Sequence, residues 1–242
     1  MIYLALALTG ILAGFISGIV GTGSSIILLP ILAYLFGAKL AVPIMAIASI
    51  MGNISRVILW RSQLNIKAFL LFICLGMPMT ILGANTLWII SPVVSDIIIG
   101  LFFICLIPIR YWAKAHHFQL NNMQLVLAGA VLGYLTGIVF STGPLTLPIF
   151  SGFGLTKGAL LATEAAASFT IYLTKAFTFG LLGALNGQTF IIGIMVGLTL
   201  MLGNYIGKYY VLQMSEQCYH LLLDLMLLIA GLAMWYSAYT VL

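Results

Sequence analysis

The sequence predicts an all-α polytopic membrane protein built as two homologous halves, inverted repeats of about five segments each, one segment in each half being a short broken half-helix. Three observations predict it. Of 242 residues, 63% are hydrophobic and 5% charged, against about 45–50% and 25% in a soluble domain. Apolar stretches recur along the whole chain at the length of about 20 residues that a membrane helix needs. The second half also repeats the first, motif by motif. This composition excludes a soluble enzyme and a disordered chain. The 25 glycines argue against uninterrupted helices, because Gly costs about 1 kcal/mol in a helix interior.

Taken in order, residues 2–20 form a first span. It lacks a charged leader region and runs straight into further apolar sequence, which predicts a retained helix and not a cleaved signal. A short piece follows at 25–36, then longer segments at 39–60, 67–90 and 93–113. The stretch 114–123 is the most polar of the chain and reads as a linker. It divides an N-terminal transmembrane repeat (1–115) from a C-terminal one (121–242). After it come 124–141, a short piece 144–153, then 158–181, 189–207 and 217–240.

The repeat is visible in residues. Gly14-Phe-Ile-Ser-Gly18-Ile-Val is echoed by Gly133-Tyr-Leu-Thr-Gly137-Ile-Val, and Leu29-Pro30-Ile31 by Leu147-Pro148-Ile149. Phe36-Gly37 ahead of Lys39 matches Phe153-Gly154 ahead of Lys157, and Gly83-Ala84-Asn85 resembles Gly203-Asn204. Basic residues orient the halves. With the short pieces not crossing there are eight spans, and the flanking cations divide almost evenly. With both crossing there are ten. Arg61, Lys67, Arg110, Lys114, Lys157 and Lys208 then share one side and Lys39 stands alone on the other. The asymmetric arrangement is the natural one. It gives each half an odd number of segments, inverts the halves, and places both termini away from the cytoplasm. Twelve helical residues cover only about 18 Å of a core about 30 Å thick, so each short piece needs a non-helical lead-in at membrane depth.

Such backbone is tolerated only where protein or a water-filled cavity satisfies it, and matched breaks in two repeats point to a transporter binding site. The first break is Gly21, Thr22, Gly23, Ser24 and Ser25, with hydroxyls placed to cap the following helix. The second is Ser141, Thr142, Gly143 and Pro144, with hydroxyls to cap the next helix and then a proline suited to a first helical turn. Two helix N-termini converging here would bind an anion through unpaired N–H groups. Tight helix packing is the competing explanation of the glycines; their paired occurrence favours the site.

Two polar stripes accompany the breaks. Ser49, Asn53 and Arg56 lie within about 60° of one another on a helix, and Glu164, Ser168 and Lys175 within about 40°. Ionisable groups near a bilayer centre are costly, so both stripes should face protein or water. Glu164 is expected to carry a coupling proton or to pair with Lys175 or Arg56. Arg56 and Lys175 are expected either to touch substrate or to snorkel from span ends. Asp96 and Asp224 suggest ion pairs or helix caps, and Asn85 and Asn204 are weaker candidates. Cys74, Cys105 and Cys218 read as small core residues. His116, His117 and His220 lack metal spacing, so no metal or cofactor is expected. The net charge of +5 comes from scattered residues, which excludes a nucleic-acid partner.

The pattern Gly-x3-Gly-x2-Gly-x-Gly followed by an apolar run to Pro-Ile-Leu, with its return Ser-Thr-Gly-Pro-x3-Pro, resembles the TauE/SafE (TSUP) family of membrane permeases over Leu4 to about Tyr236. Ser24 and Ser25 depart from the family's frequent glycines, as does Phe140-Ser141-Thr142. The resemblance implies a small sulfur-containing anion such as sulfite or a sulfonate, moved across a prokaryotic inner membrane. The expectation is therefore a non-enzymatic secondary transporter working by alternating access, with a lipid bilayer, a small anion and a coupling ion or proton as its partners. An anion channel is the alternative. An intramembrane hydrolase is less suited, because the aspartates lack a catalytic context and the serine of Gly23-Ser24 lacks a matched histidine.

Overall fold

A computed structural model describes residues 2–20, 23–115, 119–139, 142–211 and 216–241. It is all helical among them. The ten α-helices are α1 (Ile2–Val20), α2 (Gly23–Phe36), α3 (Ala38–Trp60), α4 (Ile66–Ile89), α5 (Pro92–Ala115), α6 (Asn122–Ile138), α7 (Gly143–Gly152), α8 (Lys157–Leu181), α9 (Gly187–Val211) and α10 (Glu216–Val241), with a short 3₁₀ turn at Arg61–Gln63. Among the described residues, a helix answers each segment read from the sequence. Within the described residues, Leu40–Ile58 and Ile66–Ile89 are each long and apolar enough to cross a membrane, and shorter apolar stretches occupy six other helices.

Local chemistry sets the helix ends. Asn65 caps α4 by accepting from the Ala68 N–H at 3.0 Å. Asn121 and Gln124 form a reciprocal capping box on α6, both bonds at 2.9 Å. Asn186 and Thr189 exchange the same pair of bonds at the start of α9. The matched Phe-Gly motifs end α2 and α7 alike: Gly37 (φ 79°) and Gly154 (φ 93°) both adopt a left-handed backbone, where a Cβ would be strained.

Residue contacts fix the helix directions. Gly10 meets Thr199 and Gly14 meets Gly203, so α1 and α9 run the same way. Gly193 packs on Ile44 and Ile47, and Gly197 on Met51, so α3 shares that direction. Gly129, Gly133 and Gly137 meet Phe72, Gly76 and Gly83 in turn, making α4 and α6 parallel. Thr163 takes the Asn65 N–H and Ile171 lies on Gly76, so α8 runs with them. Helices α3 and α8 are antiparallel, with Arg56 on Glu164 and Gln63 on Gly158. So are α5 and α10, where the Trp235 indole donates to the Ile97 carbonyl and the Tyr111 hydroxyl to Asp224 at 2.5 Å. Because α1 and α3 point the same way, α2 must carry the chain back between them. The same reasoning makes α7 the return between α6 and α8.

The neighbour pattern repeats when each helix of the first five is exchanged for its counterpart in the last five. Helix α1 on α9 answers α6 on α4, α3 on α9 answers α8 on α4, and α2 on α10 answers α7 on α5. The α3·α8 and α5·α10 pairs answer themselves. At the centre, α3 is buried at every position from Ala41 to Ser49, and α8 from Ala162 to Ala167. A second, smaller core joins α4, α6, α7 and α8 around Phe72 and Phe150, whose rings lie 5.0 Å apart.

The glycines of the Gly-x3-Gly motifs are helix contacts. A Cβ at Gly133 would reach the Gly76 Cα at 2.8 Å, and one at Gly14 the Gly203 Cα at 3.0 Å. Packing without side chains is how helices approach in lipid. For Gly10, Gly14, Gly129, Gly133 and Gly137 the neighbours are those of tight helix packing, the competing explanation of the glycines.

Candidate functional site

The two stripes meet where α3 and α8 cross. An Arg56 Nη1 donates to Glu164 Oε2 at 2.9 Å, and Ser168 Oγ donates to Glu164 Oε1 at 2.7 Å. The second Arg56 nitrogen donates to Asn53 Oδ1, and Asn53 Nδ2 donates to the Ser49 carbonyl at 2.9 Å. One polar chain therefore runs from Ser49 through Asn53, Arg56 and Glu164 to Ser168. Buried polar side chains must find partners: Asn53 and Ser168 find theirs on their own helices, and the Arg56–Glu164 pair crosses from α3 to α8. The Glu164 side chain is 1% exposed and the Arg56 side chain 24%. The Arg56 side chain thus stays partly exposed while its charge is matched. Of the partners foreseen for Glu164, the structure selects Arg56.

Lys175 belongs to a different cluster. It lies eleven residues beyond Glu164 on α8, about 16 Å along the axis. Its side chain is completely buried. Its Nζ donates to the Thr136 and Val139 carbonyls, the latter at 3.3 Å, and sits 5.7 Å from the centre of the Phe179 ring. Those carbonyls end α6, where the last turn has no helical donor. The lysine therefore does not snorkel; it satisfies the end of α6 where the chain breaks.

The second break is built around Thr142. The sequence suggested a hydroxyl cap for α7, but the Thr142 side chain makes no capping bond. Its hydroxyl pairs at 2.5 Å with that of Thr136 across the elbow, and its carbonyl accepts the Leu145 and Thr146 N–H groups. Pro144 does stand in the first turn. At the first break, Gly23, Ser24 and Ser25 already form the first turn of α2 and do not precede it. Gly21, Thr22 and Ser141 lie outside the described residues.

Two structural hydroxyls outside the polar chain, Thr136 and Thr163, were not singled out by the sequence. Thr136 appeared only as a letter of the Gly-x3-Gly motif, although it is a hydroxyl residue directly ahead of a break. Thr163, whose hydroxyl accepts the Asn65 N–H at 3.1 Å, ties the α3–α4 turn to α8 one residue before Glu164. Asn85 bonds back to the Ile81 carbonyl of its own helix. Asp224 accepts from Tyr111 and is no part of the cluster. Among the described residues no group of three or more His, Cys, Asp or Glu side chains could hold a metal.

Residues 6–234 match the family model described as Sulfite exporter TauE/SafE. No curated protein and no solved structure matches the chain.

Proposed function

Because the chain belongs to the TauE/SafE sulfite exporter family, and is thus an integral membrane transporter of sulfite or related anions and not an enzyme, we propose that it is a secondary transporter of a small sulfur oxyanion working by alternating access. The family match over residues 6–234 carries the reading. The halves 1–115 and 121–242 are then repeats inverted across the bilayer. The opposed directions of α1 and α6, of α3 and α8, and of α4 and α9 support that arrangement, as does the exchange symmetry of the helix neighbours.

The anion's seat is the α3–α8 stripe between the two breaks, with Arg56 as its positive charge. Arg suits this role because its planar fork matches two oxyanion oxygens. Ser49, Asn53 and Arg56 follow a spacing of i, i+4, i+7, which Ser168, Tyr172 and Lys175 repeat. Arg56 thus holds in the first half the place that Lys175 holds in the second. Lys175 supports the break from behind, while Gly143 and Pro144 open α7 beside it. The first break, residues 21–25, is its counterpart, and Glu164 is the coupling group.

The test is flux of sulfite, sulfoacetate and thiosulfate in proteoliposomes. Saturable flux of at least one of them, lost in Arg56→Gln, is expected. Failure of all three to move would sink the reading.

A further inference from the structure

We propose that Glu164 is a tethered competitor for the anion's place on Arg56, so that anion binding itself releases α8 from α3. This rests on the reading of Arg56 as the anion's seat. Within the polar chain, Asn53, itself anchored by donating to the Ser49 carbonyl, accepts from one guanidinium nitrogen, Nη2, and sets its orientation. The other is taken by the Glu164 carboxylate at 2.9 Å. A carboxylate and a sulfur oxyanion make the same demand on a guanidinium, negative oxygen against its N–H groups, and Glu164 meets it at Nη1 with Oε2. A second negative charge at the same nitrogen would stand beside a carboxylate whose side chain is 1% exposed, and like charges repel more strongly where water is excluded. The partial exposure of the Arg56 side chain leaves room for an anion to approach, but full engagement requires Glu164 to let go.

What happens to Glu164 then follows from its second bond. Ser168, one turn along the same helix, holds its other oxygen at 2.7 Å. The freed carboxylate therefore stays with α8. Arg56 and its anion stay with α3, held by Asn53. The ion pair joins the two halves of the chain, so its exchange for anion turns a link between halves into two charges that repel. A neutral tie adjoins it, the Asn65 N–H on the Thr163 hydroxyl. That tie has no charge for the anion to replace, so it provides the control.

The experiment uses the full chain in detergent, titrated with sulfite and read by thermal shift, with flux measured in proteoliposomes. Glu164→Gln keeps the size and polarity of the side chain and removes the competing charge. It should bind sulfite about tenfold tighter than the wild type, since the anion no longer displaces a charge, yet transport it more slowly because the latch does not re-form. Glu164→Asp, one methylene shorter, should fall between the two and serves if the glutamine variant does not fold. Thr163→Val loosens the same end of the α3–α8 crossing and should leave sulfite affinity within about twofold of the wild type. The proposal is overturned if Glu164→Gln (or, failing that, Glu164→Asp) binds no tighter than the wild type, or if Thr163→Val tightens binding equally. If the wild type binds none of sulfite, sulfoacetate and thiosulfate, the anion site itself falls, and the competitor with it.

Discussion

Two cations that looked alike in sequence have separate tasks. Arg56 faces a carboxylate and stays partly exposed; Lys175 is sealed and holds backbone. Lys175→Met leaves the Thr136 and Val139 carbonyls without their donor. Such a loss costs about 1–3 kcal/mol, so the melting temperature in detergent should fall, and sulfite should not restore it. Arg56→Gln, by contrast, should regain stability from no anion because it has lost the seat. The stripes themselves were legible in sequence, since an ionisable side chain at membrane depth has to face a partner. The partner of Lys175 was not. Its acceptors are main-chain carbonyls, which every residue carries, and only the path of α6 decides which two come within reach. Thr163 was hidden for a related reason: a hydroxyl on a helix announces nothing until the Asn65 turn is seen to fold against it.

At the level of helices, boundaries were readable to within a few residues, because apolar length, the asparagine caps and the paired Phe-Gly turns all agree. The glycines were harder to divide. A break in a helix and a close crossing of two helices both call for a missing Cβ, so one motif served both explanations. The structure separates them by neighbour. Gly133→Leu should drive α6 off α4, because its side chain would have to occupy the space of the Gly76 backbone. Loss of the monodisperse peak in size-exclusion chromatography is the expected result. Gly180→Ala is the counterpart. It lies within α8, with nothing inside 4 Å of a new Cβ, and should stabilise by about 0.5–1 kcal/mol through backbone entropy alone, visible as a higher melting temperature.

For the molecule as a whole, the proposed inverted arrangement makes a prediction about sides. In a background with Cys74, Cys105 and Cys218 replaced by alanine, single cysteines at Ser62 and Asn122 should react with an impermeant thiol reagent from the cytoplasmic face. Those at Ser91 and Gln188 should react only from the opposite face. Labelling of Ser62 and Ser91 from one face would refute the alternation. The ten segments were legible from apolar length and the echoed motifs, and a helix answers each of them among the described residues. The mutual grip of the halves was not, because it depends on pairs of residues far apart in the chain. Helix α1 packs on α9, and α4 on α6, so neither half keeps its own first and fourth helices together. This has a consequence for synthesis. The glycine face of α1 waits for Thr199 and Gly203, which lie roughly 190 residues downstream. At about 5–20 residues per second, that leaves it uncovered in the bilayer for roughly 10–40 s. Helix α6 finds α4 already in place. The two symmetric seams are thus closed at very different times, and a ribosome stalled in the second half would leave α1 as the exposed helix for quality control to recognise.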